Sequence, residues 1–314
     1  LDFSSFGLSM VDDFTLVLKQ QQLYELEEIS KQFNAVPDFH IYFIVRRPRI
    51  YFDHESIELT KNHLKGKCKI QDRDSFKTIE FNYIHYFKEK NLAIECVYPY
   101  DKMFVVTEDQ TKIFGGYASL MLQEFNTTGN IITGAYTDES EVIYIGQSFG
   151  QEGSRTAEDR LLSHSTLQKI YSENTPDKEI WITLWSFTRN ELMFMSPKVD
   201  NQENHELFMK FFNYTRTRYE KISFEQEINF TEAALIRYFQ PIYNDKFKYN
   251  FPSKAHTTYS QCYKLGLDYV AFEIDTKRLN MIIWSEAQPL KKFKHKEIYS
   301  LKNKDDIKKF FGLE

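Results

Sequence analysis

Short segments dense in β-branched and aromatic residues recur along this chain and commit it to a fold with much β-sheet. His40-Ile41-Tyr42-Phe43-Ile44-Val45 is the clearest of them. Segments 76–87, 92–98, 102–107, 131–137, 142–146, 179–187, 269–275 and 281–284 repeat the pattern. Only 11 glycines and 8 prolines interrupt a composition that is 42% apolar, so the chain reads as folded and not as linker. Its 28 Phe and 20 Tyr supply large core side chains, and the tyrosines leave hydroxyls for pocket walls.

Helical periodicity appears in four places. Residues 13–33 carry an irregular apolar stripe from Phe14 to Phe33, broken by the polar run Lys19 to Gln22. Ser154 or Thr156 can cap a helix reaching about Tyr171. Residues 203–222 present Phe208, Phe212, Tyr219 and Ile222 on one face. A last helix is expected from Thr231, with Phe230 and Leu235 as a hydrophobic staple, ending near Gln240 before Pro241. Lys88 to Asn91 reads as a hairpin turn, and so does Asp138-Glu139-Ser140-Glu141.

These signals predict three units. Residues 1–128 form a helix-plus-antiparallel-sheet front domain suited to target recognition or partner binding. Residues 129–250 follow the turn at Asn126 to Asn130 and run β-β-α-β-α-α. Residues 251–314 form a β/helical extension with a basic end. The fold class is α/β or, more loosely, α+β.

Net charge is −5, so any nucleic-acid contact requires a local basic patch. Arg46, Arg47 and Arg49 are one such group, and Lys291 to Lys309 another; a solvated turn and a solvated tail or terminal helix are the favoured readings of the two. Cys68, Cys96 and Cys262 lie far apart, which supports neither a disulfide framework nor a zinc site. No apolar run approaches the roughly 18 residues of a membrane span, and no basic signal-peptide start is seen, so a cytoplasmic, intracellular chain is expected.

Six polar residues stand out by order and chemistry. Tyr136 and Tyr144 fall on neighbouring expected strands, beside Gly134 and Gly146. Arg160 and His164, four residues apart, share a helix face, pairing a permanent cation with a group that titrates near neutrality. Glu232 is a hard oxygen ligand suited to Mg²⁺ or Mn²⁺. Asn244 follows Pro241-Ile242-Tyr243. Each also has an ordinary role: strand tyrosines pack, a glutamate in a first helical turn favours the helix dipole, and asparagine suits turns.

Taken in order, Gly134-Ala135-Tyr136, Tyr144-Ile145-Gly146, Arg160-Leu161-Leu162-Ser163-His164 and the stretch Glu232 to Asn244 resemble the GIY-YIG nuclease family over residues 131–246, about a third of the chain. The resemblance implies a nuclease core with a small mixed or antiparallel sheet flanked by helices. It implies hydrolysis of nucleic-acid phosphodiesters with one divalent cation, Mg²⁺ or Mn²⁺, held by Glu232. Tyr136 would activate water and Tyr144 would position it. Arg160 would stabilise the transition state, His164 would accept or orient a tyrosine proton, and Asn244 would fix the phosphate. Ala135 replaces a bulky residue of the first motif. The interval from Tyr144 to Arg160 is long and contains Arg155, a rival for the phosphate role.

The expected function is therefore endonucleolytic cleavage of double-stranded DNA in restriction, phage defence or DNA repair, with RNA as a second substrate class. A homodimer would supply one active site per strand. A non-catalytic nucleic-acid-binding protein that keeps the fold, and a structural or protein-interaction module, are the alternatives.

Overall fold

The computed structural model describes residues 5–25, 39–133, 136–147, 165–194, 213, 217 and 220–301. Strand β2 (Ile41–Pro48) is buried almost without interruption, as its unbroken apolar run requires of a strand covered on both faces. It lies near the centre of a seven-stranded mixed sheet with the order β13-β10-β2-β11-β1-β12-β14. The other members are β1 (Ser5–Leu18), β10 (Asp138–Gln147), β11 (Lys178–Phe194), β12 (Tyr269–Asp275), β13 (Met281–Trp284) and β14 (Lys294–Ser300). The architecture is α+β and strand-rich.

Two helices cover opposite faces of this sheet. Helix α3 (Phe224–Phe239) packs Ile228, Leu235 and Phe239 onto Phe43, Val45 and Trp185, with the Phe43 and Phe239 rings 5.9 Å apart. Helix α2 (Ser165–Glu173) sets Leu167 and Ile170 over Tyr42, Ile44, Ile182 and Leu184. Alternate residues of β2 therefore belong to different cores, as the two-residue period of a strand dictates.

Between β2 and β10 the chain builds a separate unit. A four-stranded sheet contains β3 (Ile50–Phe52), β4 (Glu58–Leu59), β5 (His63–Asp72) and β6 (Ser75–Ile84). A three-stranded sheet contains β7 (Ala93–Glu95), β8 (Lys102–Val106) and β9 (Lys112–Tyr117). Helix α1 (Ala118–Thr127) joins both through a core that includes Phe52, Phe81, Met103, Leu122 and Phe125. A further short helix, α4 (Ser260–Lys264), precedes β12.

Several expectations are corrected. Residues 13–18, expected to open a helix, belong to β1, which pairs antiparallel with β11 and parallel with β12. The ladder from Phe14 to Leu18 with β11, with β-branched Thr15 and Val17, overrides the approximate helical stripe. The polar run at Lys19 to Gln22 is where the strand ends and a 3-10 turn (Gln20–Glu25) begins. Lys88 to Asn91 does not close a hairpin, because β6 pairs with β5 while β7 pairs with β8. The Arg46–Arg49 group is no solvated turn. Arg46 bonds Glu141 at 2.9 Å, and Arg47 is fully buried against Asp138. The described part of the basic end, expected as a tail or helix, contributes β14, whose Lys294 and Lys296 flank Glu273 at 2.6 and 3.0 Å, while Lys302 to Lys309 lie outside the described residues.

The expected hairpin at 131–146 is also absent. Ile131 bridges to Phe81, and residues 138–147 form one strand, antiparallel to β2 and parallel to β13. The acidic tetrapeptide read as a turn is strand because its charges find partners: Asp138 with Arg47, Glu139 with Lys291 and Glu141 with Arg46. Helix α3 begins two turns before Thr231, at a Ser223 cap whose hydroxyl accepts from Gln226 N–H at 3.4 Å. Thr231 sits inside it and donates to the Glu227 carbonyl at 2.6 Å. Its end at Phe239, with Gln240 left-handed before Pro241, is as expected. The boundaries at 128/129 and 250/251 do not divide the sheet, which takes strands from all three expected units. The expected helices over 154–164 and most of 203–222 lie outside the described residues. Among the described residues, no helix is long and apolar enough to cross a membrane.

Candidate functional site

The antiparallel ladder between β2 and β10 sets Tyr42 opposite Gly146 and Ile44 opposite Tyr144. Register places both tyrosines on the same face of the sheet, and their ring centroids are 6.1 Å apart at 34°. A bulge between Val142 and Tyr144 produces that register by adding one residue to β10. Gly146 is what leaves room for the pair. A Cβ there would lie 2.6 Å from both Cζ and the hydroxyl of Tyr42, and 2.9 Å from Cε1 of Tyr144. Tyr42 is fully buried, whereas Tyr144 is half-buried, so the cluster reaches solvent on the Tyr144 side.

The end of β10 is tied to the segments that carry Glu232 and Asn244. Asn244 accepts from Ile145 N–H at 2.9 Å and donates to the Ile145 carbonyl at 2.8 Å. It takes the place of a ladder partner where β13 has ended. Tyr243 N–H donates to the Ile143 carbonyl at 3.1 Å, and its hydroxyl donates to Glu173 of α2 at 2.7 Å. That bond and burial both raise the Tyr243 pKa, burial more strongly. On α3, Asn229 accepts from the Gln147 side chain at 2.9 Å. Glu232 is half-buried one turn further along the same helix, which packs on the sheet face opposite the tyrosine pair.

Tyr136 is elsewhere. It belongs to the core of the inserted unit, 5% exposed, with its N–H on Asn126 Oδ1 at 3.3 Å and its carbonyl accepting from Asn280 at 2.9 Å. Among the described residues its buried hydroxyl has no hydrogen-bond partner. Burial first, then the Asp138 carboxylate, push its pKa well above the usual tyrosine value, against a smaller opposing pull from Arg47. It is poorly suited to ionise. The structure does not bring Tyr136 and Tyr144 together, because β10 is not the second arm of a hairpin.

Tyr144 and Asn244 thus meet at one strand end, with Tyr42 in the position expected for Tyr136, while Glu232 lies on the helix that covers the opposite face of the sheet. The overlooked signal was the tripeptide His40-Ile41-Tyr42, which lies at the start of the strongest strand segment in the chain. Arg155, Arg160, His164, Gly134 and Ala135 lie outside the described residues.

The donor set is compatible with Mg²⁺ or Mn²⁺. Such ions are commonly held by one or two carboxylates, with water and substrate phosphate completing the shell, and Glu232 is a half-buried carboxylate. Among the described residues, no group of three His, Cys, Asp or Glu side chains converges to hold a metal, at Glu232 or elsewhere. No family model, no curated protein and no solved structure matches this chain.

Proposed function

We propose that this protein is a divalent-metal-dependent endonuclease of the GIY-YIG type that hydrolyses DNA phosphodiester bonds, with Tyr42 packed beside Tyr144 in the place expected of Tyr136. The observation that carries the reading is the Tyr42–Tyr144 pair packed across Gly146, on a strand end tethered to the segments bearing Glu232 and Asn244. Bound at Glu232, Mg²⁺ or Mn²⁺ would polarise the scissile phosphate and stabilise the leaving oxygen.

The chain's own residues divide the remaining work. Tyr144, open to solvent, would hold the attacking water by its phenolic oxygen. Tyr42, buried against it, would fix that ring. Ionising an unperturbed tyrosine costs about 4 kcal/mol at neutral pH, so a neighbouring cation and a proton acceptor are needed for a phenolate role. Arg160, with Arg155 as its rival, supplies positive charge to the transition state, and His164 receives the proton. Asn244 positions the site by holding Ile145. Double-stranded DNA is the favoured substrate, with RNA second, in a restriction, defence or repair setting. Two copies would cut the two strands.

The test is cleavage of plasmid, genomic and single-stranded substrates with and without Mg²⁺, comparing wild type with Glu232→Ala, Tyr144→Phe, Tyr42→Phe and Tyr136→Phe. Loss of cutting is expected in the first two. A smaller reduction is expected for Tyr42→Phe, which keeps the packed ring, and near-wild-type activity for Tyr136→Phe. Cutting that survives Glu232→Ala in a folded protein would sink the metal role. DNA binding without metal-dependent cutting on any substrate would instead leave a binding protein that keeps the fold.

A further inference from the structure

The inserted unit contains a cleft with no part in the chemistry above. It has a volume of about 880 Å³ and lies between the 3-10 turn after β1 and the sheet of β7, β8 and β9. That volume is within the range of roughly 300–1,000 Å³ typical of small-molecule sites. Its walls alternate aromatic rings with ammonium groups. Lys19 and Lys102 stand 4.6 and 4.4 Å from the centroid of Tyr117, and Lys112 stands 4.0 Å from that of Phe104. Tyr98 is 81% exposed at the rim.

The charges are not equivalent. Lys19 is committed at depth, 3.3 Å from both Asp101 and Glu179, with only 14% of its side chain exposed. Lys102 and Lys112 are exposed, and Glu95 lies 3.5 Å from Lys112. The solvent side therefore offers two ammonium groups to an anion. Deeper in, Asp101 offers a carboxylate oxygen already oriented by Lys19. Backbone makes the floor accessible: a Cβ at Gly116 would meet nothing within 4 Å. Neighbouring Gly115 has φ +134°, where a Cβ would collide with the Met103 carbonyl at 2.1 Å, so glycine is required there.

A ligand matching this cleft needs a π-face for Tyr98, negative charge for Lys102 and Lys112, and an N–H edge for Asp101. Inorganic phosphate has only the second property, and a nucleoside lacks it. We propose that the cleft binds a nucleotide with an unstacked base: the base against Tyr98, its exocyclic amino group on Asp101, and its phosphate at Lys102 and Lys112. Cytosine meets the amino requirement. This goes beyond the nuclease reading and rests on separate residues.

The test is binding in EDTA, where no cutting is needed, so its outcome is independent of the nuclease assay. Probes are dCMP, deoxycytidine, inorganic phosphate, a duplex with one bulged cytosine and its fully paired counterpart. The expected result is saturable dCMP binding that deoxycytidine and phosphate match only weakly. Lys102→Glu and Tyr98→Ala, both surface changes checked by unchanged thermal midpoints, should each weaken binding by about tenfold, the order of one lost base stack or charged contact. Tighter binding of the bulged duplex than of dCMP would identify nucleic acid as the source, and equal binding a free nucleotide; both support the site. Failure of dCMP and the bulged duplex to bind, phosphate binding as tightly as dCMP, or both variants binding like wild type would overturn the proposal.

Discussion

At the scale of single residues, the candidate site depends on side chains whose neighbours leave no slack. Gly146 faces two rings, and a methyl group there enters the space of the Tyr42 phenol. Gly146→Ala should therefore destabilise the fold by about 1–3 kcal/mol, the usual cost of overpacking, and part the two tyrosines. Denaturant unfolding measures the first effect, and near-ultraviolet tyrosine signals report the second. An unchanged midpoint would mean that the rings have room to move. His295 is a different case. Its Nε2 lies 3.0 and 3.2 Å from the carbonyls of Ile283 and Lys292, and its Nδ1 lies 3.2 Å from the Tyr238 hydroxyl. Burial, with help from Lys292, lowers its pKa to about 4. The unfolded histidine takes up a proton first, near pH 6.5. Stability from this group is thus complete above about pH 6.5 and is lost as pH falls towards 4. The loss is on the order of 3 kcal/mol. Thermal midpoints across that window should fall less steeply in His295→Gln than in wild type.

At the scale of elements, β10 shows how one strand can be completed by three different partners. Asp138 to Glu141 pair with β13, Glu141 to Gln147 with β2, and the outer edge beyond β13 with Tyr243 and Asn244. Asn244→Ala would leave the buried Ile145 N–H and carbonyl without those partners, at about 1–3 kcal/mol for each group. Amide exchange at Ile145 should accelerate beyond the global change. Exchange no faster than at β2 amides would count against the tethering role. Strand identity was legible where apolar β-branched runs are long, as in β2, β11, β12 and β13. It was not legible in Asp138 to Glu141, because only distant cations make that tetrapeptide a strand. The partner of β10 was misassigned for a related reason. A nearby turn-like sequence makes a hairpin the economical expectation, yet β2 comes from far upstream.

Across the whole molecule, the inserted unit and the seven-stranded sheet meet at a buried polar junction. Arg47 pairs with Asp138, donates to Ser119 of α1 at 3.0 Å and lies 3.7 Å from the Trp181 ring centroid. Gln123 of α1 adds a 2.9 Å bond to Asp138. Burial raises the Asp138 pKa and Arg47 opposes the rise. Removing one member strands the other. Arg47→Met should cost about 3–5 kcal/mol, while the double variant Arg47→Met/Asp138→Leu should recover much of it. A double-mutant cycle with no coupling would show that the junction is held by its apolar neighbours instead. A second link between the two parts is Lys19, which joins the cleft at Asp101 to β11 at Glu179.

The amino-acid sequence by itself determined the strand-rich character of the chain, most strands of the large sheet and the end of α3, and it singled out Tyr144, Glu232 and Asn244 as candidates. These follow from local chemistry: β-branched runs, a proline that stops a helix, and motif spacing. Only the tertiary structure decided that β1 is a strand, that the three apparent units share one sheet, and that Tyr42 is the ring beside Tyr144 while Tyr136 lies in another core. Local patterns specify which face of a strand is apolar. Which strand lies alongside is settled by burial and charge pairing between segments far apart in the chain.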